Sequence, residues 1–276
     1  MTSWMTGVCD VPGTRMHYLR TGGAGRPLVL LHGLTASGAC WSPLACSLED
    51  RFDVVMPDAR GHGKSSAPPH GYRYDDHASD VLGLIRALRL AAPILVGHSM
   101  GGMTAALVAS QMGEAVSGVV LVDPTFLSAQ RQREVCDSDV VGEHRRLLSL
   151  GREGIAAEAR SRHPQRSSEI VELLAEARVQ TRMSAFDVLT PPSPDYQQVV
   201  IGIPVPILLI IGDAPVVSLQ TARELQALNS HVQVEQIDDA GHGVPFDQPD
   251  RFAAVLRAFL DQGVPTKPWS TTFPSA

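Results

Sequence analysis

Short, wholly apolar runs recur along the chain, separated by longer stretches in which polar and apolar residues mix. The runs cover residues 28–31, 54–56, 94–96, 119–122 and 207–211. A run without polar positions is typical of a strand that is buried on both faces. Residues 74–90 carry apolar side chains at intervals of three and four, which predicts an amphipathic helix. This alternation predicts an α/β fold with a mostly parallel, doubly wound sheet.

Weaker signals extend this pattern toward both ends of the chain. Residues 8–20 alternate around the turn signal Pro12-Gly13, which predicts an antiparallel hairpin at the sheet edge. We expect a helix over residues 38–48 after the first central strand. Apolar positions at 232, 234 and 237 mark a last strand, and residues 251–260 predict the closing helix.

The alternation of strand and helix patterns is interrupted between residues 126 and 202. This stretch has helical patterns but no strand-like run, and it is far longer than one crossover connection. The patterns cover residues 143–150, 153–162 and 168–184. We therefore expect residues 126–202 to form a helical cap inserted into a core of residues 1–125 and 203–263. Residues 264–276, rich in Pro, Ser and Thr, are expected to form a flexible tail.

Composition and charge exclude several classes of function. The net charge is −6 without a basic run, which argues against nucleic acid as a partner. Neither a signal peptide nor a membrane-spanning run is visible, and the four cysteines show no C-x-x-C pair, so a cytoplasmic location with reduced thiols is expected. No metal or cofactor is expected, because the histidines lack ligand spacing. The expected partner is a small-molecule substrate, and a homodimer is compatible with the sequence.

The stretch Gly97-His98-Ser99-Met100-Gly101 carries the strongest chemical signal. It fits G-x-S-x-G, follows a predicted strand and precedes a helix-favouring run. This is the context of a nucleophile elbow, in which a tight turn exposes a serine hydroxyl at the N-terminus of a helix. Ser99 is therefore the predicted nucleophile.

A serine nucleophile needs a histidine that accepts its proton. His242 follows the last predicted strand on a glycine-flanked loop that can reach the sheet edge. We assign it as the general base. His98 is next to the serine, but we expect it to pack inside the fold, and we assign structural roles to His32 and His62.

The chain resembles the α/β-hydrolase superfamily over nearly its whole length. The resemblance rests on His32-Gly33, the loop Asp58–Ser65, the elbow at Ser99 and Gly241-His242. It implies a serine hydrolase with a helical cap. It also implies an oxyanion hole made by the backbone N–H groups of Leu34 and Met100.

The sequence departs from the superfamily at the carboxylate that orients the histidine. The position usually occupied by this acid, three residues after Gly212, is Pro215. Two candidates remain: Asp213, which would need a remodelled loop, and Asp123, which ends the strand after the elbow. Some branches of the superfamily place the acid at the second position. We favour Asp123, because it lies at the carboxyl edge of the sheet.

Substrate and reaction are less constrained by the sequence. Five apolar residues are expected to line the pocket: Phe126, Leu127, Met183, Phe186 and Val244. They favour a neutral, fairly hydrophobic carboxylic ester or lactone, cleaved through an acyl-enzyme. A cofactor-free dioxygenase or a carbon–carbon bond hydrolase remains as an alternative on the same fold. A ligand receptor that borrows the fold is a third hypothesis.

Overall fold

The computed structural model describes residues 4–262 and residue 264, and it places eight strands of this part of the chain in one sheet. The strands are β1 Met5–Val11, β2 Thr14–Arg20, β3 Arg26–Leu31, β4 Phe52–Pro57, β5 Ile94–His98, β6 Gly118–Val122, β7 Ile207–Ile211 and β8 Val232–Gln236. Their spatial order is β1-β2-β4-β3-β5-β6-β7-β8. β1, β2 and β4 pair antiparallel, and every other neighbouring pair is parallel. The predicted fold class is confirmed.

The helices of the described residues are α1 Ser42–Cys46, α2 Tyr74–Ala87, α3 Met100–Met112, α4 Ala129–Asp137, α5 Val140–Ser149, α6 Gly151–Arg162, α7 Ser168–Gln180, α8 Tyr196–Ile201, α9 Leu219–Leu228, α10 Val244–Asp247 and α11 Pro249–Gln262. Of these, α2 and α3 cover one face of the sheet and α11 covers the other. Alternate residues of each central strand face opposite layers, as the period of two requires. Val29 and Leu95 pack with α2 and α3, whereas Leu30 and Val96 pack with Trp41 and α11. The apolar runs are thus buried on both sides.

Two local predictions differ from the structure for identifiable reasons. The helix expected over residues 38–48 is a 3-10 turn, Gly38–Trp41, followed by the short helix α1. Pro43 lies at the start of α1, where a missing N–H costs nothing, and it starts a separate helix there. α4 was not predicted because its residues are mostly polar and leave only Gln132 buried.

Residues 126–202 contain helices α4 to α8 and the 3-10 segment Met183–Leu189. α7 packs against α6 on one side and against Ala36 and Cys40 on the other. Ala36 and Cys40 lie in the loop after β3, so α7 covers the carboxyl edge of the sheet. α8 instead packs through Val200 with the core layer that contains α3. The proposed tail lies outside the described residues, apart from the buried Val264.

Candidate active site

Ser99 occupies a strained turn between β5 and α3. Its φ and ψ are 55° and −118°, a conformation that residues with a side chain rarely adopt. An added Cβ on Gly97 would lie 2.1 Å from the Gly101 carbonyl oxygen, and one on Gly101 would lie 2.3 Å from the Leu31 carbonyl oxygen. Both positions therefore require glycine, as the elbow motif predicts. The turn is fixed because the Ser99 N–H donates to the Val122 carbonyl at 3.0 Å.

A continuous line of hydrogen bonds joins Ser99, His242 and Asp123. The Ser99 hydroxyl is 2.9 Å from His242 Nε2, and His242 Nδ1 is 2.5 Å from Asp123 Oδ2. Since a carboxylate accepts only, Nδ1 carries the proton and Nε2 is left to accept from the serine. The residues come from the ends of β5 and β6 and from the loop after β8, which meet at the carboxyl edge of the sheet.

The Asp123 carboxylate is fully buried and is held by backbone donors. The Val216 N–H donates to Oδ2 and the Val217 N–H donates to Oδ1, both at 2.9 Å. These two bonds, together with His242, satisfy both carboxylate oxygens and fix their orientation. The donors belong to the loop that follows β7 and contains Pro215. In most of the superfamily the loop after β7 carries the acid itself. Here the same loop holds, through its backbone, an acid that comes from the neighbouring strand β6.

Asp213, the alternative acid, is turned away from His242. Its carboxylate accepts from the Asp239 N–H at 2.6 Å and from the Gln236 side chain at 3.2 Å. Its N–H also donates to the Ala240 carbonyl at 2.7 Å. Asp213 therefore braces the segment that leads from β8 to His242.

Two backbone N–H groups are free at the predicted oxyanion hole. Among the described residues, neither the Leu34 N–H nor the Met100 N–H donates to a protein acceptor. Met100 begins α3, where the first N–H groups have no partner within the helix. Asp58 fixes the loop that contains Leu34, because its Oδ1 accepts from the Gly38 N–H at 2.8 Å. The histidine His17 and the Lys64 N–H bind the other oxygen of Asp58.

His98 contacts the backbone of His242 rather than its ring nitrogens. Burial lowers the pKa of His98 to about 3, so its ring is neutral. Its Nε2 therefore donates to the His242 carbonyl oxygen at 2.8 Å, and its buried Nδ1 has no partner in the described chain. The predicted packing role fits this arrangement, which adds a fixed hydrogen bond to the loop of His242.

The five predicted pocket residues have different surroundings in the described chain. Val244 is fully buried in the core layer of Trp41, and Phe126 is buried and stacked on Tyr196 with ring centroids 5.2 Å apart. Both side chains therefore pack within the described chain, and their assignment to the substrate pocket stays a prediction. Leu127 is half-buried.

Met183 and Phe186 line a cleft of about 400 Å³ between the 3-10 segment Met183–Leu189 and the start of α5. Among the described residues, the walls of this cleft include neither Ser99 nor His242. Phe186 also contacts the buried ring of His144, with centroids 4.7 Å apart. Contacts of this kind depend on the arrangement of the helices and leave no signal in the sequence.

A family model described as "Alpha/beta hydrolase family" matches residues 28–255. The chain belongs to this family. It is 32% identical over 260 residues to N-formylmaleamate deformylase of Pseudomonas putida, covering 90% of this chain and 94% of that protein. Across the described residues, no helix is long and apolar enough to cross a membrane.

Solved structures of similar proteins share this hydrolase fold. E-2-(acetamidomethylene)succinate hydrolase superposes with a TM-score of 0.80 at 23% identity, covering 94% of this chain and 100% of that chain. An esterase from Rhodococcus sp. ECU1013 gives a TM-score of 0.76 at 26% identity, covering 95% and 100%. Because the succinate hydrolase is only 23% identical to this chain, that similarity shows the fold alone. Family membership and the shared fold make this chain a hydrolase of the α/β class.

Proposed function

We propose that this hydrolase cleaves a carboxylic ester or lactone through an acyl-enzyme on Ser99. The observation that carries the proposal is the hydrogen-bonded line from Ser99 through His242 to the buried Asp123. The free N–H groups of Leu34 and Met100 support it, because they are available for an oxyanion. The substrate is a small molecule, and the helices of residues 126–202 are proposed to shield it from bulk water.

In the first half of the reaction, the Ser99 oxygen attacks the substrate carbonyl carbon while its proton moves to His242 Nε2. The carbonyl oxygen becomes an oxyanion that accepts from the Leu34 and Met100 N–H groups. Asp123 stabilises the imidazolium by accepting from Nδ1. When the intermediate collapses, the bond to the leaving oxygen breaks and Nε2 returns the proton to that oxygen.

In the second half, a water molecule repeats the attack on the acyl-enzyme. His242 Nε2 takes the proton of the water, the Ser99 ester bond breaks, and the proton returns to the serine oxygen. The products are a carboxylic acid and an alcohol, or one hydroxy acid from a lactone. The free enzyme is regenerated without any cofactor in this scheme.

A second candidate is the cleavage of an N-acyl or N-formyl amide. Similarity to N-formylmaleamate deformylase over 90% of the chain favours it. The same line of residues serves both reactions, since an amide differs only in a leaving nitrogen that His242 must protonate. A panel of short esters and N-formyl amides would show which class is turned over faster.

Labelling with a neutral alkyl fluorophosphonate tests the proposal. We expect one covalent adduct, at Ser99, and no adduct in Ser99→Ala. His242→Ala should label more than about 100-fold more slowly, because the serine loses its base. Ser110→Ala, which changes a serine at the other end of α3, is the matched control and should label like the wild type. Absence of labelling at Ser99 in the native protein would refute the proposal.

A further inference from the structure

His98, the residue before the nucleophile, lies between the loop that contains Leu34 and the loop of the general base. Its Nε2 is 2.8 Å from the His242 carbonyl oxygen. A Cβ added to Gly33 would lie 3.1 Å from the Nδ1 of His98 and 3.1 Å from the Ser99 Cβ. One side chain therefore lies against both loops that complete the site around Ser99.

The His98 ring is packed on several sides. Its centroid is 4.9 Å from that of the His242 ring and 5.7 Å from that of the Phe246 ring, which meets it at 82°. Its backbone ends β5, where it is paired with Val122 of β6, and its side chain is buried. A close-packed ring has little room to move, so its Nε2–H has a fixed place.

The hydrogen of the His98 ring is on Nε2. Burial lowers the pKa of His98 to about 3, so the ring carries a single ring hydrogen at neutral pH. A carbonyl oxygen only accepts, so this hydrogen is on the nitrogen that faces His242. The Nδ1 atom is then an acceptor, and it is buried without a hydrogen-bond partner among the described residues.

The unpartnered Nδ1 argues that His98 does more than fill space. A buried polar atom without a hydrogen bond destabilises a fold, so packing alone would favour an apolar side chain of similar size. The property that such a side chain lacks is the Nε2–H donor. The presence of histidine here is therefore explained by what this donor does for the loop of His242.

The loop of His242 needs an anchor because both neighbours of the histidine are glycines. Gly241 and Gly243 place little restriction on the backbone. Asp247 accepts from the Gly241 N–H at 3.1 Å, which fixes the loop before the histidine, whereas His98 binds the carbonyl of His242 itself. Because His98 directly precedes the nucleophile, this bond ties the backbone of the base to the strand end that carries the serine.

We propose that His98 is a positioning residue for the reaction at Ser99. Its Nε2–H holds the His242 carbonyl, and this bond sets the approach of His242 Nε2 to the Ser99 hydroxyl, which is 2.9 Å away. The inference rests on the proposed function, and it gives His98 a part in the reaction beyond the packing role expected from the sequence. A misplacement of about 1 Å can lower a rate by about 100-fold, so one hydrogen bond to the backbone of the base can govern reactivity.

Two amide variants test the donor by its position. His98→Gln brings an amide nitrogen to the place of Nε2, whereas the shorter side chain of His98→Asn ends at the place of Nδ1. Both are neutral and polar, and only the first can donate to the His242 carbonyl. We expect fluorophosphonate labelling of Ser99 to be at least about 10-fold slower in His98→Asn than in the wild type, and to stay within about threefold of the wild type in His98→Gln.

Steady-state hydrolysis of 4-nitrophenyl acetate separates positioning from substrate binding. His242 acts in both halves of the proposed reaction, so a misplaced base slows acylation and deacylation together. In His98→Asn we therefore expect kcat to fall by at least about 10-fold while KM stays within about twofold of the wild type.

His144→Leu is the matched control. His144 is also a buried histidine whose Nε2 faces a backbone carbonyl, that of Thr181 at 3.4 Å, but this carbonyl lies at the end of α7. The variant should label like the wild type. Urea unfolding checks that each variant is folded at the labelling temperature; if His98→Asn is not, His98→Leu, which also lacks a donor, takes its place.

The outcomes are distinguishable. If native Ser99 does not label at all, the proposed function fails. If it labels, and His98→Asn labels as fast as the wild type or His98→Gln labels as slowly as His98→Asn, the Nε2 donor does not position His242 and the inference is overturned. A loss confined to KM would also overturn it. Slow labelling and a low kcat in His98→Asn, with recovery in His98→Gln, support it.

Discussion

Arg166 and Asp247 form an ion pair that is almost entirely sheltered from solvent, with Nε 2.8 Å from Oδ1, although the two residues are 81 positions apart in sequence. The other oxygen of Asp247 accepts from the Gly241 N–H at 3.1 Å. Gly241 immediately precedes His242. The pair therefore links the turn between α6 and α7 to the loop that carries the proposed general base.

We expect Asp247→Ala to weaken both the fold and the reactivity of Ser99. It leaves Arg166 without its counter-charge, which should lower the free energy of unfolding by about 3 kcal/mol. It also frees the Gly241 N–H, so labelling of Ser99 should slow by about 10-fold or more at a temperature where the variant is folded. Urea unfolding and labelling rates measure the two effects.

The matched control for this pair is Arg146→Met, which breaks an exposed ion-pair network. Exposed pairs contribute little to stability, so its free energy of unfolding should change far less than that of Asp247→Ala, and its labelling should not change. Equal labelling rates in Asp247→Ala and the wild type would show that the pair stabilises the fold without positioning His242.

Asp123→Asn and Asp213→Asn separate the two candidate acids. The amide at position 123 favours the wrong histidine tautomer, and a comparable change in a Ser-His-Asp enzyme lowers kcat by about 10⁴-fold. Asp213 braces the loop from outside the site, so its variant should keep activity within about threefold. Ester hydrolysis by both variants, compared with the wild type, checks this. Greater damage from Asp213→Asn would contradict the assignment.

Most of the fold could be predicted because its signals are local. A strand that is buried on both faces must be apolar at every position, so β5, β6 and β7 are visible as short runs. The elbow is equally visible, because the close approach of Gly101 to Leu31 excludes any side chain. Parallel strands then place Ser99 and Asp123 at one edge, which is why their proximity could be expected before the geometry was known.

The pocket residues, the acid of the site and its supporting contacts could not be predicted in the same way, because they depend on long-range contacts that leave no periodic pattern in the sequence. Val244 and Phe126 are apolar residues near the site, and only packing decides that they face the core. The choice between Asp123 and Asp213 depends on where the Val216 and Val217 N–H groups point. Asp247 could be interpreted only as a helix-start signal. Its ion pair with Arg166 joins residues far apart in the chain, and the sequence contains no local sign of it.

Stability should fall as the pH falls from 6.5 toward 3. Burial lowers the pKa of His77 to about 3 and that of His98 to about 3, from an ordinary value of 6.5. In this window the unfolded chain binds protons that the folded chain excludes, so the free energy of unfolding decreases as the pH decreases. Each histidine should cost about 2 kcal/mol between pH 7 and pH 5.

His77→Leu isolates one of these contributions. Its loss of unfolding free energy between pH 7 and pH 5 should be smaller than that of the wild type by about 2 kcal/mol. His70→Gln changes an exposed histidine and should leave the pH dependence as in the wild type. Urea unfolding at both pH values measures the difference. The same pH dependence in His77→Leu as in the wild type would be inconsistent with a buried, neutral His77.

The central claim is that Ser99 becomes covalently acylated. Intact-mass spectrometry of the protein mixed with excess 4-nitrophenyl acetate, acid-quenched during turnover and followed by peptide mapping, tests it most directly. We predict that the protein gains one acetyl group on the peptide containing Ser99, that Ser99→Ala gains none, and that Ser99→Ala is inactive. Turnover by Ser99→Ala that is lost in His242→Ala, without acetylation of the wild type, would contradict the acyl-enzyme and indicate chemistry in which the histidine alone acts as a base.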